Sequence, residues 1–339
     1  MKTTLWAMIK KYCKRYFIDA LSAMALGLFS SLIIGLIISQ ISKIPYLGFL
    51  NEYAAMVKSD PVVGAAIGVA TSYGLKSKPL VMFSSAAAGA FGYSVGGPVG
   101  AFVAAVFGSE IGGLVSGKTK IDIILSPIVT IIVGCAAGQF VGAPVQAMMS
   151  GLGAVITAAT LLAPLPMGIL VSVIVGMVLT APISSAALCI MLGLDGLAGG
   201  AAVAGCCAQM IGFAVTSFNE NGWGGLLSQG IGTSMLQFGN IMRKPAIWLA
   251  PTLASAVTGP ISTCIFKMEC TPTGAGMGTS GLVGQFGTWD AMSASTTPWL
   301  VLLEMALVHF ILPAVLALAF HLLFKKLGWV KDGDMKLGV

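Results

Sequence analysis

A long stretch without charge most constrains how this chain can fold. Residues 123 to 194 contain no acidic, basic or histidine side chain, and apolar runs of about 18 residues or more are typical of transmembrane helices. Across the chain 57% of residues are hydrophobic and 9% are charged, whereas soluble domains carry about 25% charged residues. This excludes a soluble enzyme, a nucleic-acid-binding protein and a secreted disulfide scaffold. The aliphatic runs predict an all-α, polytopic membrane protein, because barrel strands alternate polar and apolar residues.

Basic residues predict the orientation of the spans, because cytoplasmic loops carry an excess of Lys and Arg. Four basic groups divide the chain: Lys76 with Lys78, Lys118 with Lys120, Arg243 with Lys244, and Lys325, Lys326, Lys331 and Lys336. With all four groups inside, about ten crossings result. They are 20–39, 61–75, the two arms of a hairpin at 79–117 interrupted by GGPVG, 121–149, 166–192, 196–217, 221–242, 245–266 and 298–324. Eight full spans with deeper re-entrant loops satisfy the same groups.

The ends of the chain differ from this central part. Residues 1–18 predict a basic amphipathic helix that lies on an anionic leaflet. Residues 19–325 predict a single transmembrane domain, and residues 326–339 a cytoplasmic tail. Two segments fit no full span. The first, 151–165, is predicted to be an interfacial or a half-membrane element. The second, 270–297, is predicted to be re-entrant, because irregular backbone at membrane depth must be covered.

An internal similarity predicts a repeat. A shift of 124 residues places KIDIILSPIVTIIV at 120–133 on KPAIWLAPTLASAV at 244–257, so that Pro127 matches Pro251. The halves of such a repeat lie near 61–150 and 185–267. Paired broken helices in two halves point to the site of a transporter, and we expect both prolines to face one central cavity. A chance likeness of two proline-containing apolar helices is the alternative.

A second similarity is shorter and more polar. It joins GLLSQGIGT at 225–233 to GLVGQFGT at 281–288. Glycines permit tight turns, and the amides of Gln229 and Gln285 each offer donors and an acceptor. This combination suits an uncharged, hydroxyl-rich ligand, although glycines used only for packing would explain it as well.

A polar motif, SFNENGWGG, surrounds Glu220. Asn219, Glu220 and Asn221 are adjacent carbonyl-bearing side chains, and Trp223 could stack on the apolar face of a sugar ring. These residues are candidate ligands of a sugar-like solute. The alternative is an outside loop whose polar side chains are only solvated.

Ionisable groups inside spans are costly and are therefore functional candidates. Glu110, Glu304 and His309 fall in this class. Glu304 and His309 are five residues apart, about 140° around an α-helix, so we do not expect them to face one another. Pro313 leaves the His309 carbonyl without its helical hydrogen bond. No metal-ligand spacing and no nucleotide-binding motif is found, so we expect neither a metal nor a cofactor.

Four passages carry a resemblance to a known family. They are KTKIDIILSPIVTIIVG at 118–134, SFNENGWGGLLSQGIGTSMLQFGN at 217–240, PTLASAVTGPI at 251–261 and GMGTSGLVGQ at 276–285. The chain resembles phosphotransferase-system EIIC-type membrane proteins, and more closely their PfoR-like branch. The resemblance implies a bacterial cytoplasmic-membrane protein with about ten helices, re-entrant hairpins and a homodimeric assembly. It also implies separate cytoplasmic phosphotransferase components as partners.

The chain departs from the glucose-type EIIC pattern. It has no Gly-Ile-Thr-Glu motif, its two histidines lie in the last span, and no EIIA or EIIB domain is attached. Coupling to phosphorylation is therefore left open. We expect a permease, not an enzyme, that binds a small polar solute through Glu220, Asn219, Asn221, Gln229, Glu110, Gln285, Glu304 and His309. The rival is a membrane sensor that binds a solute and signals to a cytoplasmic partner, and no nucleic-acid partner is expected.

Both termini are predicted to lie in the cytoplasm, because only this sidedness suits the four basic groups. Single-cysteine variants at Lys2 and Lys336 should resist a membrane-impermeant thiol reagent in intact cells and react after lysis. Labelling of either position from outside would contradict the topology.

Overall fold

The computed structural model describes residues 11–12, 14–42, 44–181 and 183–337. Every regular element in these residues is helical, which confirms the predicted all-α class. The described part contains six helices that are long and apolar enough to cross a membrane. The chain forms two compact units, Met1–Gly151 and Leu152–Val339. Most of the predicted N-terminal amphipathic helix lies outside the described residues.

The first unit contains five helices, the last of which continues into the second unit. They are α1 (Lys14–Ser39), α2 (Leu50–Val57), α3 (Asp60–Gly74), α4 (Pro79–Val115) and α5 (Asp122–Leu162). The predicted interfacial segment 151–165 is thus largely the end of α5.

Helix α4 is a hairpin. Its backbone leaves helical geometry at Gly96 and at Gly97, whose φ of 54° and ψ of −151° suit glycine. The side-chain oxygens of Ser85 and Ser109 lie 3.3 Å apart, although 24 residues of straight helix would separate them by about 36 Å. Lys78 also donates a hydrogen bond to the Ser116 carbonyl, across the two ends. The hairpin predicted at 79–117 is confirmed.

Small residues let the helices of the first unit approach closely. A Cβ atom on Gly89 would lie 2.4 Å from the Gly64 carbonyl oxygen, and one on Gly68 would lie 2.1 Å from the Ser85 carbonyl oxygen. Helices α3 and α4 therefore pack backbone to backbone, as is common where lipid removes the hydrophobic drive for association.

The second unit is built around one buried helix. Its further helices are α6 (Pro164–Thr180), α7 (Ser185–Leu192), α8 (Gly196–Thr216), α9 (Phe218–Leu227), α10 (Phe238–Arg243), α11 (Pro245–Phe266), α12 (Pro272–Ala275), α13 (Val283–Met292) and α14 (Pro298–Lys326). Nearly all of α8 is buried. This helix is the core against which the other elements are placed.

Hydroxyl groups register α11 antiparallel to α8. Ser262 Oγ donates to the Gly200 carbonyl, Ser255 Oγ to the Gly205 carbonyl, and Gln209 Nε2 to Thr252 Oγ1. Later residues of α11 thus pair with earlier residues of α8, so the two helices run in opposite directions. The ends of α8 and α14 lie beside the start of α11, since Phe213, Phe324 and Ile247 pack in one apolar cluster.

The single span predicted at 166–192 is wrong, because it forms two helices, α6 and α7. Helix α6 ends at Thr180, which donates a hydrogen bond to Gln209 Oε1 near the end of α8, whereas α8 begins at Gly196. The chain between Thr180 and Gly196 therefore returns along the unit and adds one pass.

The predicted span 221–242 is also wrong, which removes one pass and keeps the predicted number even. Asn221 Nδ2 donates to the Met335 carbonyl at 2.9 Å, and Asn240 Nδ2 donates to the Lys336 carbonyl at 3.0 Å. Asn221 and Asn240 thus touch neighbouring residues of the tail, whereas a straight helix would separate them by about 29 Å. Residues 218–243, which we call the first re-entrant segment, leave from and return to the same end of the unit. Glu220 consequently lies on the same side of the unit as the basic tail.

A second segment also folds back, as predicted for 270–297. Glu269 donates its N–H to Met292 Sδ at 3.4 Å, and Gly284 donates its N–H to the Gly278 carbonyl at 3.0 Å. A Cβ atom on Gly284 would lie 2.6 Å from the Val203 side chain in the middle of α8. The fold-back confirms the re-entrant path of this second re-entrant segment, residues 269–292.

One backbone feature occurs in both units. Gly97 has φ 54° and ψ −151°, and Gly222 has φ 58° and ψ −157°, and each breaks a helix. Pro127 is half-buried in α5, and Pro251 is buried in α11. These matches agree with two related halves, and the repeat stays a prediction.

The close approach of α3 and α4 makes a testable prediction. Gly89→Ala should lower the free energy of unfolding by about 1 to 3 kcal/mol, because its Cβ would overlap the Gly64 backbone. Gly113→Ala lies on the same helix with nothing within 4 Å and should be neutral or slightly stabilising. Heating each purified variant and measuring the remaining monodisperse protein by size exclusion compares them. Equal midpoints for the two variants would contradict glycine-mediated packing.

Candidate functional site

The eight predicted ligand residues fall in three places. Glu110 lies on α4 of the first unit, where its Oε1 is 2.7 Å from Arg15 Nη2, with each side chain more than a third exposed. Arg15 belongs to α1, so the pair joins the first helix to the hairpin. Glu110 therefore has an ionic partner within its own unit.

The second place is a polar socket around the SFNENGWGG motif, and its occupant is the tail of the chain. Glu220 Oε2 accepts the Met335 N–H at 3.0 Å, and Asn221 Oδ1 accepts the Leu337 N–H at 2.8 Å. Gln237 Nε2 donates to the Met335 carbonyl at 2.9 Å. We call Glu220, Asn221, Gln237 and Asn240 the tail socket.

Gln229 supports the tail socket from inside. Its amide nitrogen donates to Ser217 Oγ and to the Gly225 carbonyl, both at 2.9 Å, and its oxygen accepts Gln237 Nε2 at 2.9 Å. The residue is fully buried. Its amide is therefore used within the protein, between the tip of the first re-entrant segment and the socket.

Two other residues of the motif point away from this network. Asn219 is exposed, and Trp223 is exposed and packs edge-on against Phe218, with ring centroids 5.3 Å apart. The predicted stacking face of Trp223 thus lies at the surface of the unit, outside the tail socket.

The third place is a buried polar cluster between α13 and α14. Gln285 Nε2 lies 3.2 Å from His309 Nδ1 and 3.5 Å from Cys207 Sγ of α8. His309 is fully buried and Glu304 is 7% exposed. Thr288 follows Gln285 by three residues and shares its helix face. We call Gln285, Thr288, Glu304 and His309 the polar cluster.

Each member of the polar cluster has a buried atom without a hydrogen-bond partner. These atoms are Gln285 Oε1, Thr288 Oγ1, Glu304 Oε2 and His309 Nε2. Buried polar groups in native proteins are usually paired, and leaving one unpaired costs about 1 to 3 kcal/mol. Gln285 and His309 are in contact, and Thr288 and Glu304 lie on the same two helices, α13 and α14, so a polar molecule that reached these helices could pair atoms that the protein leaves unpaired.

The backbone of α14 is irregular between Glu304 and His309. Residues Ala306–Ile311 form a π-helix, in which hydrogen bonds run from i to i+5. Pro313 cannot donate to the His309 carbonyl, and this gap permits the wider turn. The wider turn brings Glu304 and His309 nearer to one helix face than the regular α-helix assumed from the sequence.

The two re-entrant segments meet beside α8. Thr279 Oγ1 donates to the Gly230 carbonyl, at the tip of the first segment, and Thr279 also lies 3.6 Å from Met210 Sδ. The similarity of GLLSQGIGT and GLVGQFGT thus marks two segments that touch. It does not bring Gln229 and Gln285 into one site, since each amide has its own partners.

Some site residues were missed by the sequence analysis. Thr288 could have been found from its position one helical turn after Gln285. Gln237 and Asn240 gave no signal, because their partners are nearly 100 residues away. Among the residues that the structure describes, no group of three or more His, Cys, Asp or Glu could hold a metal ion.

Comparison with family models shows which proteins the chain is similar to. The model of a family described as "Phosphotransferase system, EIIC" matches residues 18–337, nearly the whole chain. No curated protein sequence matches the chain.

Proposed function

Since the chain belongs to the phosphotransferase-system EIIC family, the membrane permease part of that system, we propose that it transports a small polar solute. The solute is a sugar or a related hydroxylated metabolite. The proposal places the protein in the bacterial cytoplasmic membrane as a homodimer with both termini in the cytoplasm. Separate cytoplasmic phosphotransferase components act as its partners, and the PfoR-like branch is the subgroup proposed.

The observation that carries this proposal is the polar cluster. Its unpartnered atoms include acceptors at Gln285 and Glu304, a hydroxyl at Thr288 and an imidazole nitrogen at His309. Hydroxyl groups can donate to the first two and can donate to or accept from Thr288. They can accept from the N–H of His309 Nε2, since Nδ1 is the acceptor that faces the Gln285 amide. A hydroxylated solute would pair these atoms, and a site with buried polar groups discriminates against analogues that lack the matching hydroxyl.

The tail socket has a different part in the proposal. Glu220 and Asn221 bind the tail backbone, and Gln229 binds Ser217, Gly225 and Gln237. A solute that reached these side chains would have to displace the tail. We therefore assign the first contact with solute to the polar cluster, and contacts with Glu220, Asn219, Asn221 and Gln229 to a state in which the tail has left. Glu110 would contribute only when its pair with Arg15 opens.

One observation favours a second candidate function, that of a membrane sensor. The tail is bound to the first re-entrant segment through residues 335–337, so a movement of that segment would change a region able to meet a cytoplasmic partner. A sensor of this kind would bind solute through the same polar cluster without net uptake.

His309→Asn tests the site. An Asn side chain can keep the contact that Nδ1 makes with Gln285 but has no atom at the position of Nε2. Solute affinity should fall by about two- to tenfold, because one hydrogen bond between neutral groups, of about 0.5 to 1.5 kcal/mol, is lost. Stability should stay or rise, since a buried unpartnered atom is removed. His321→Asn, on the same helix but only half-buried, is the matched control.

The measurement is the shift of the unfolding midpoint of purified protein across a panel of sugars, polyols and sugar acids, followed by uptake of the best ligand into proteoliposomes. A ligand that binds the native state raises the midpoint by mass action. Equal ligand-induced shifts in His309→Asn and in the unsubstituted protein would move the site elsewhere. Binding without uptake in the unsubstituted protein would favour the sensor.

A further inference from the structure

The tail socket binds the backbone of the tail. Five hydrogen bonds join four socket side chains to the N–H and carbonyl groups of three consecutive tail residues, Met335, Lys336 and Leu337. Glu220 and Asn221 contribute three of these bonds from one end of the first re-entrant segment, and Gln237 and Asn240 two from the other. Main-chain recognition of this kind gives affinity for an extended segment with little dependence on its sequence.

One side chain of the tail adds specificity. Met335 is 1% exposed and packs in an apolar cluster with Phe213 and Ile247. Thr216 Oγ1 also lies 3.7 Å from its sulfur. The next side chain, Lys336, is exposed. The tail socket therefore has one apolar pocket, suited to an unbranched, adaptable side chain such as methionine.

The tail joins the two ends of the first re-entrant segment. The segment breaks at Gly222, one residue after Asn221, where φ is 58°. Apart from the tail, the buried Gln229 joins its ends, since it binds Ser217 and Gly225 on one side and Gln237 on the other. Gln237 connects the Met335 carbonyl to Gln229, at the start of the π-helix Ser228–Gly232. The contact of Thr279 with Gly230 then leads to the second re-entrant segment.

We propose that residues 335–337 are a reversible latch that holds the first re-entrant segment in place. With the tail bound, the segment is fixed at both ends and its tip stays against Thr279. With the tail released, the segment is free to move about Gly222 and the tail socket is open. The open tail socket accepts an extended peptide with a methionine anchor. This goes beyond the proposed function, because it holds whatever solute the protein binds and whether or not it transports.

Hydrogen–deuterium exchange of the full-length protein in nanodiscs tests the latch without any ligand. Met335→Asp places a charge in the apolar pocket and should release the tail. Amides of residues 225–243 should then exchange about tenfold faster or more, because local opening is no longer opposed by the tail. Amides of α8 should be unchanged. Lys336→Asp changes more charge in the same tail but leaves the pocket intact, and should exchange like the unsubstituted protein.

Two results would overturn the proposal. One is faster exchange of residues 331–337 in Met335→Asp with unchanged exchange of 225–243. This result would show that tail release does not free the first re-entrant segment. The other is equal acceleration by Lys336→Asp, which would make the effect one of charge alone. If Met335→Asp unfolds the second unit, seen as full exchange of α8, the smaller change Met335→Ala is compared with Lys336→Ala by the same criteria.

Discussion

The need to pair every backbone polar group within the membrane governs this structure. A continuous helix pairs its own N–H and carbonyl groups, but a broken helix needs another partner for each group that the break leaves unpaired. The break at Gly97 is followed by Val99, whose N–H points to Gln146 Oε1 at 3.4 Å. The Gly230 carbonyl at the tip of the first re-entrant segment is paired by Thr279. Glycine permits each break, and a polar side chain from another element makes it tolerable.

This constraint explains which parts of the fold could be predicted from the sequence. The hairpin at 79–117 was recognisable because basic residues flank it and GGPVG interrupts it, and both signals are local. The fold-back of 270–297 was recognisable from its glycine, threonine and serine content. The segment 221–242 was misassigned as a span, because its composition is that of a short apolar helix. Contacts with residues 335–337 show that its two ends lie together, and those contacts cross more than 90 residues of sequence.

The sequence predicted most residues of the candidate site, but not which of them lie together. The cost of an ionisable group inside a span singled out Glu304 and His309, and the similarity of GLVGQFGT to GLLSQGIGT singled out Gln285. The assumption of a regular α-helix then separated Glu304 from His309, although Pro313 was already a sign that the turn around His309 is irregular. The π-helix at Ala306–Ile311 lies where Pro313 removes a backbone hydrogen bond. Glu220 and Asn221 were chosen because their side-chain oxygens are acceptors. These oxygens do accept hydrogen bonds, but from backbone N–H groups of the protein's own tail.

A series of contacts links the tail socket to the segment that carries part of the polar cluster. Gln237 binds both the Met335 carbonyl and Gln229, and the π-helix that begins beside Gln229 places the Gly230 carbonyl against Thr279. Thr279 lies six residues before Gln285 on the second re-entrant segment. A ligand can shift such an arrangement only by its difference in affinity between the two states. If the solute in the polar cluster prefers the state with the tail released, then by linkage tail release must raise solute affinity by the same factor. The link is therefore reciprocal, whether the protein serves as a permease or as a sensor.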